Sequence, residues 1–170
     1  MSTKKNYVKQ KLMNNEICVG IWSIISSESN LDIFSKSKLD FILLDMEHGN
    51  YVNNIENAIR IVESNNCSPI LRPPTFNSHF IQNALDFGIH GLIAPQIKSL
   101  EELNQYISNT VFPPKGIRGF NPFVRSASYS MKNNLNNNND EFALRSIILE
   151  HKDLLNKLDE ISKLKFLDLV

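Results

Sequence analysis

The chain has 170 residues, enough for one domain with a substantial core. Hydrophobic residues make up 42% and charged residues 21%, ordinary globular values that exclude wholesale disorder. The formal net charge of +0 gives no bulk field toward nucleic acid or an anionic membrane, and no apolar run approaches the roughly 18 residues of a membrane span.

The polar opening MSTKKNYVKQKLMNN places Tyr7, Val8 and Leu12 at helical spacing, which predicts a short helix. ICVGIW follows as a strand. Lysines ahead of ICVGIWSII superficially copy a signal peptide, but the leader is long and polar and Glu16 abuts the apolar run, which argues against secretion. Cys18 and Cys67 have no His or Cys at metal-ligand spacing and read as reduced, structural thiols, so a cytoplasmic setting is expected. SSESN then supplies N-cap candidates for a short helix in LDIFSKS, and LDFILLD is a strand apolar almost throughout, as expected when both faces are covered.

The alternation repeats. NNIENAIRIVESNN carries Ile55, Ala58, Ile59 and Val62 at helix spacing, and SPILRPP is a strand stopped by its double proline. NSHFIQNALDFG opens on the cap candidate Asn77 and closes on Gly88 at a C′ position. HGLIAPQ is another strand, and SLEELNQYISN a helix with Ser99 as cap and Glu102 at the capping-box position. From Thr110 a long segment rich in Pro, Gly, Asn and Ser reads as a functional or flexible loop, its Asn-rich part at about 131–140 expected to be flexible and without chemistry. LRSIILEH then returns as a strand, HKDLLNKLDEISKL as a helix and KFLDLV as a sixth strand.

Six strands separated by helices predict a single α/β domain over 1–170 with a parallel sheet. Its winding is either doubly wound and open or that of a (β/α) barrel; GIWSIISSES lacks a G-x-G-x-x-G turn, which removes most support for a dinucleotide fold. A complete barrel needs eight strands, so the reading is of a barrel incomplete after about the sixth.

In either winding, ligands sit beyond the carboxyl ends of the strands, and these ends are polar. The second strand ends on Asp45, Glu47 and His48, the third on Arg72, the fourth on Pro95 and Gln96, the fifth on Glu150 and His151. A carboxylate beside an imidazole tunes a general base; alternatively, Asp45 caps the next turn and its neighbours are solvated. Arg72 is placed to bind a carboxylate or a developing oxyanion, or to pair with Asp45 or Glu47, and the two roles are compatible. Glu150 is placed to ligate a divalent metal or to serve as a cap. PPKGIRG is a shaped loop near an anion or a subunit contact, or a surface turn. His79, His90 and His151 read as surface or satisfied core histidines.

In order, Gly20–Trp22, LLDMEHG, ILRPP, the run from Gly88 to Pro95, FPPKGIRG and IILEHKDLLNKLDEI resemble the HpcH/HpaI aldolase family from about Asn6 onward. The resemblance implies a (β/α)8 TIM barrel, assembled as a homo-oligomer, commonly a hexamer. It implies a lyase that reversibly cleaves a 4-hydroxy-2-keto acid to pyruvate, or a related 2-keto acid, and an aldehyde through a metal-bound enolate. The implied cofactor is Mg2+, Mn2+ or Co2+. By the same resemblance His48 is the catalytic base held by Asp45, Arg72 steadies the keto-acid oxygen, and Glu47 and Gly119 contact substrate within the site and the P-P-x-G-x-R-G loop. Glu150 would be a metal ligand, and the second metal carboxylate, in a G-P-x-D-L segment, would fall beyond Val170. Ile148 departs from the polar residue that members often carry. The expectation is therefore negligible pyruvate release from the chain by itself, with a catalytically inactive remnant or partner-dependent module of the same fold as the alternative.

Overall fold

A computed structural model of the chain describes residues 5–50, 55–131 and 140–170. Helix α1 (Tyr7–Met13) begins where the Asn6 side chain accepts from the Lys9 amide. Strands β1 (Gly20–Ser23), β2 (Phe41–Asp45), β3 (Ser68–Arg72), β4 (Gly91–Ala94) and β5 (Leu144–Ile147) alternate with α2 (Glu28–Ser35), α3 (Ile55–Ser64), α4 (Ser78–Asp86) and α5 (Leu100–Thr110). The caps are the predicted ones: Ser27, Asn77 and Ser99 each accept from the amide three residues on. Gly88 takes φ 86 after α4, a left-handed step that glycine adopts without steric cost.

All five strands are parallel and lie side by side in chain order. A doubly wound sheet reverses its order at a switch point, whereas an order that never reverses is the winding of a barrel. β1 and β5 are the two edges, and no pairing between them is present among the described residues.

Alternation along the strands sorts the core into two layers. Ile42, Leu44, Leu71 and Leu92 turn outward against Ile59, Val62, Ile81 and Leu103 of the helices, all buried. Leu43, Ile70 and Leu144 turn the other way and are covered by Val8 of α1. Asp45 and Arg72 stand two residues beyond Leu43 and Ile70, so they share this inner face one layer higher, toward the strands' carboxyl ends.

Two predicted elements differ. The helix expected over HKDLLNKLDEISKL is two short pieces, α6 (Lys152–Leu155) and α7 (Leu158–Ile161), each burying one anchor, Leu154 and Ile161. KFLDLV is not a sixth strand but a single parallel bridge between Ser146 and Leu169. Phe166 has φ 67, and that left-handed step interrupts the extended run, while Leu164, Phe166 and Leu167 pack on the helix-facing core. The Asn-rich tract expected to be flexible lies outside the described residues except at its ends, where the Asp140 carboxylate accepts from the Phe112 amide. Among the described residues no helix is long and apolar enough to cross a membrane.

Candidate active site

Parallel pairing of β2 with β3 sets Asp45 opposite Arg72, so a carboxylate and a guanidinium meet at adjacent strand ends. Asp45 is fully buried, and Arg72 binds it as a fork, Nε to Oδ1 at 2.8 Å and Nη2 to Oδ2 at 2.5 Å. The chain then turns back over the carboxylate: Oδ1 also accepts from the Glu47 amide at 3.0 Å and the His48 amide at 3.3 Å. Gly49 allows this turn, because a Cβ there would fall 2.1 Å from the Asp45 carbonyl oxygen and 2.8 Å from that of Ile24. Trp22 closes the unit from β1, its indole N–H donating to Asp45 Oδ2 at 3.0 Å and its ring lying 4.6 Å under the guanidinium carbon.

The electrostatics follow from these contacts. Burial by itself would push the Asp45 carboxyl up, but donation from Arg72, Trp22 and the His48 amide, with the Arg72 charge, outweighs it and holds the group down at about 2. Hydrogen bonding to Asp45 in turn raises Arg72 against the opposing effect of burial.

Glu47 is the next member. Its Oε2 is 2.9 Å from Arg72 Nη1 as an ion pair, yet the geometry is not that of a hydrogen bond and this buried oxygen has no hydrogen-bond partner among the described residues. Its Oε1 accepts from Gln96 Nε2 at 2.5 Å. Gln96 reaches a second carboxylate through its backbone, whose N–H donates to Glu150 Oε2 at 2.7 Å. Glu150, three residues past β5, is thereby tied to the same cluster. Three carboxylates against one guanidinium leave two formal negative charges in excess with the imidazole neutral.

Asp45, Glu47, Arg72 and Glu150 are thus brought together as predicted from the strand ends. His48 lies at their rim, but not as expected: Asp45 holds its backbone amide rather than its imidazole, because both carboxylate oxygens are already committed to Arg72, Trp22 and the turn. The imidazole is 70% exposed and its nearest carboxylate is Glu47, at 3.9 Å. Gly119 is not brought to the cluster. A helix crossing between parallel strands runs antiparallel to them, so α5 delivers Val111–Gly119 to the opposite end of the sheet. There Arg118 donates to Asp86, the last residue of α4, at 2.9 Å, and Gly119 packs on Gln82. His90 is a satisfied core histidine, as predicted, within hydrogen-bonding distance of Ser68 and Glu63. Sequence reasoning saw Trp22 only as part of the Gly20–Trp22 motif, with no role in the site, and Gln96 only as a strand end; the aromatic in the first strand was the one available signal.

Among the described residues no three of His, Cys, Asp and Glu converge as a ready ligand set. The donor chemistry nonetheless fits a hard divalent cation: carboxylate oxygens, two surplus negative charges, and a buried Glu47 oxygen without a hydrogen-bond partner.

A family model described as HpcH/HpaI aldolase/citrate lyase matches residues 19–170. The 2-keto-3-deoxy-L-rhamnonate aldolase of Escherichia coli O9:H4 (strain HS) is 29% identical over 166 residues, 96% of this chain and 62% of that protein. The hydroxypyruvate/pyruvate aldolase of Deinococcus radiodurans is 28% identical over 96% of this chain and 60% of its own length. The chain therefore spans about three-fifths of the length of these curated relatives. Among solved structures, an HpcH/HpaI aldolase/citrate lyase family protein from Burkholderia cenocepacia J2315 superposes with a TM-score of 0.88 at 24% identity, covering 97% of this chain and 68% of that one, a likeness of fold.

Proposed function

The chain belongs to the HpcH/HpaI aldolase/citrate lyase family, and from that premise we propose that its site serves an aldolase-type lyase acting on a 4-hydroxy-2-keto acid, with pyruvate or a related 2-keto acid and an aldehyde as products. The observation that carries the reading is the fixed Asp45–Arg72 fork at the strand mouth, with Glu47 and Glu150 joined to it and an imidazole at the rim. Asp45 stays ionised throughout the neutral range, so Arg72 keeps its charge and its orientation. Its remaining N–H groups face the charge that gathers on the keto oxygen as the carbon–carbon bond breaks. His48, exposed at the rim, takes the proton of the 4-hydroxyl as the C3–C4 bond breaks and delivers it to C3 of the enolate that forms, giving the keto acid; synthesis reverses both transfers.

Glu150 and Glu47 Oε2, which is ion-paired with Arg72 but accepts no hydrogen bond, would hold Mg2+, Mn2+ or Co2+. When bound, such a cation polarises the keto carbonyl. The two free cysteines support a cytoplasmic setting, and a homo-oligomer belongs to the same proposal.

Oxalate, a planar dianion shaped like the reacting end of a keto acid, tests the reading by calorimetry with Mn2+ present. The wild-type chain should bind it, and Arg72→Lys and Glu150→Gln should each weaken binding at least about tenfold. No binding by the wild type refutes the reading. A second reading, a module that works only with a partner polypeptide, draws on Val19, Trp22 and Ile24, all about half exposed along the β1 edge. Pyruvate release from a 4-hydroxy-2-keto acid by the chain by itself, lost in His48→Ala, would refute this second reading, because a partner-dependent module binds oxalate without turnover.

A further inference from the structure

β4 ends at Ala94, and two residues later Gln96 adopts φ 55, a left-handed conformation that glycine, Asn and Asp take far more readily than Gln. A strained residue at a strand mouth needs a compensating interaction. Gln96 has two. Its backbone N–H donates to Glu150, 54 residues away, and its carboxamide donates to Glu47, 49 residues away, at 2.7 Å and 2.5 Å. One residue thus bridges two carboxylates that repel each other. It uses one oxygen of each, and the other oxygen of Glu47 has no hydrogen-bond partner among the described residues.

The choice of a carboxamide matters. A lysine in this position would also hold both groups, but its charge would cancel one of the negative charges that a divalent cation requires. A neutral donor fixes position and leaves the charge in place.

We propose that Gln96 is a positioning residue that clamps Glu47 and Glu150 in one arrangement ready for a cation and a keto acid; the proposal rests on the keto-acid reading of the same site. In 15N–1H spectra of the full chain, the Gln96 carboxamide signals should move in Glu47→Gln and its backbone amide in Glu150→Gln, each independently of the other. Signals that respond to neither substitution overturn the clamp, whether or not oxalate binds. With Mn2+ present, Gln96→Gly and Gln96→Leu should each weaken oxalate binding about three- to tenfold, and the effect should vanish when Glu47 is already Gln. Stability separates this from a scaffold role: Gln96→Gly should raise Tm, because glycine takes the left-handed step freely, whereas Gln96→Leu should not. Binding losses that track Tm, or equal binding by wild type and both variants, refute the positioning role. Failure of the wild type to bind oxalate instead removes the keto-acid reading, while the spectra still decide the clamp.

Discussion

Replacing Asp45 with Asn removes the charge on which the strand-mouth unit turns. The carboxyl lies at about 2 in the folded chain against 3.8 ordinarily, and at about 1.36 kcal/mol per unit this difference is worth about 2 kcal/mol of folding stability at neutral pH. The substitution also leaves Arg72, whose side chain is only 10% exposed, with Glu47 as its remaining carboxylate partner. Breaking one side of a buried pair costs about 3–5 kcal/mol, so a loss of about 3 kcal/mol is expected at pH 7. A depressed carboxyl contributes fully above its unfolded value and loses that contribution as pH falls through 3.8 toward 2. The gap between wild type and Asp45→Asn should therefore be flat from pH 7 to about 5 and narrow by about 1 kcal/mol by pH 3. Urea unfolding followed by fluorescence of Trp22, the single tryptophan, reads both quantities at the site itself. A gap below about 1 kcal/mol at pH 7, or one that stays constant down to pH 3, would refute the assignment of Asp45 as the buried anchor of Arg72.

Gly49→Ala should cost about 3 kcal/mol in thermal or urea melts and weaken oxalate binding, because the new methyl meets backbone oxygens of Asp45 and Ile24 that cannot move aside; unchanged melting would contradict the tight turn. Leu71→Ala, at a fully buried position between sheet and helices, should lower stability by about 3–4 kcal/mol with an unchanged urea m-value. Burial pushes the Cys67 thiol up to about 12, so iodoacetamide at pH 8 should leave it unmodified in the native chain and label it only with urea, as mass spectrometry will show. Labelling of Cys67 in the native chain at the rate of an unfolded thiol would contradict this burial.

The elements most legible in the sequence are those whose pattern is enforced locally. FILLD and SPILR are strands covered on both faces, and the spacing of Ile55, Ala58, Ile59 and Val62 admits only a helix with one apolar stripe. Asn77, Ser99 and Gly88 declare helix ends through chemistry confined to a few residues. KFLDLV failed because its conformation is imposed from a distance: Phe166 turns left-handed beneath Lys115 and Arg145, 5.4 and 5.6 Å from its ring. Much of the site was readable because a parallel sheet gathers strand ends, which put Asp45, Arg72 and Glu150 in one place. The role of the His48 amide was not, since no spacing rule reveals whether a carboxylate faces an imidazole or the backbone beneath it. Trp22 and Gln96 enter through side-chain contacts that cross strands. The displacement of Gly119 was available in principle, because strict strand and helix alternation already dictates at which end α5 must stop.

Helix α1 carries an implication about time. Asn6 donates to the carbonyl oxygens of His90 and Phe142, Lys9 reaches the Ala143 carbonyl and the Asp168 carboxylate, and Val8 sits on Leu43, Ile70 and Leu144. These partners all lie downstream of α1 in the chain, up to 159 residues away in the case of Lys9 and Asp168. The helix is accordingly seated only after strands far along the chain have paired, and Val8 cannot cover Leu144 before then. A lid tied to such distant partners makes the docking of α1 a late step in folding.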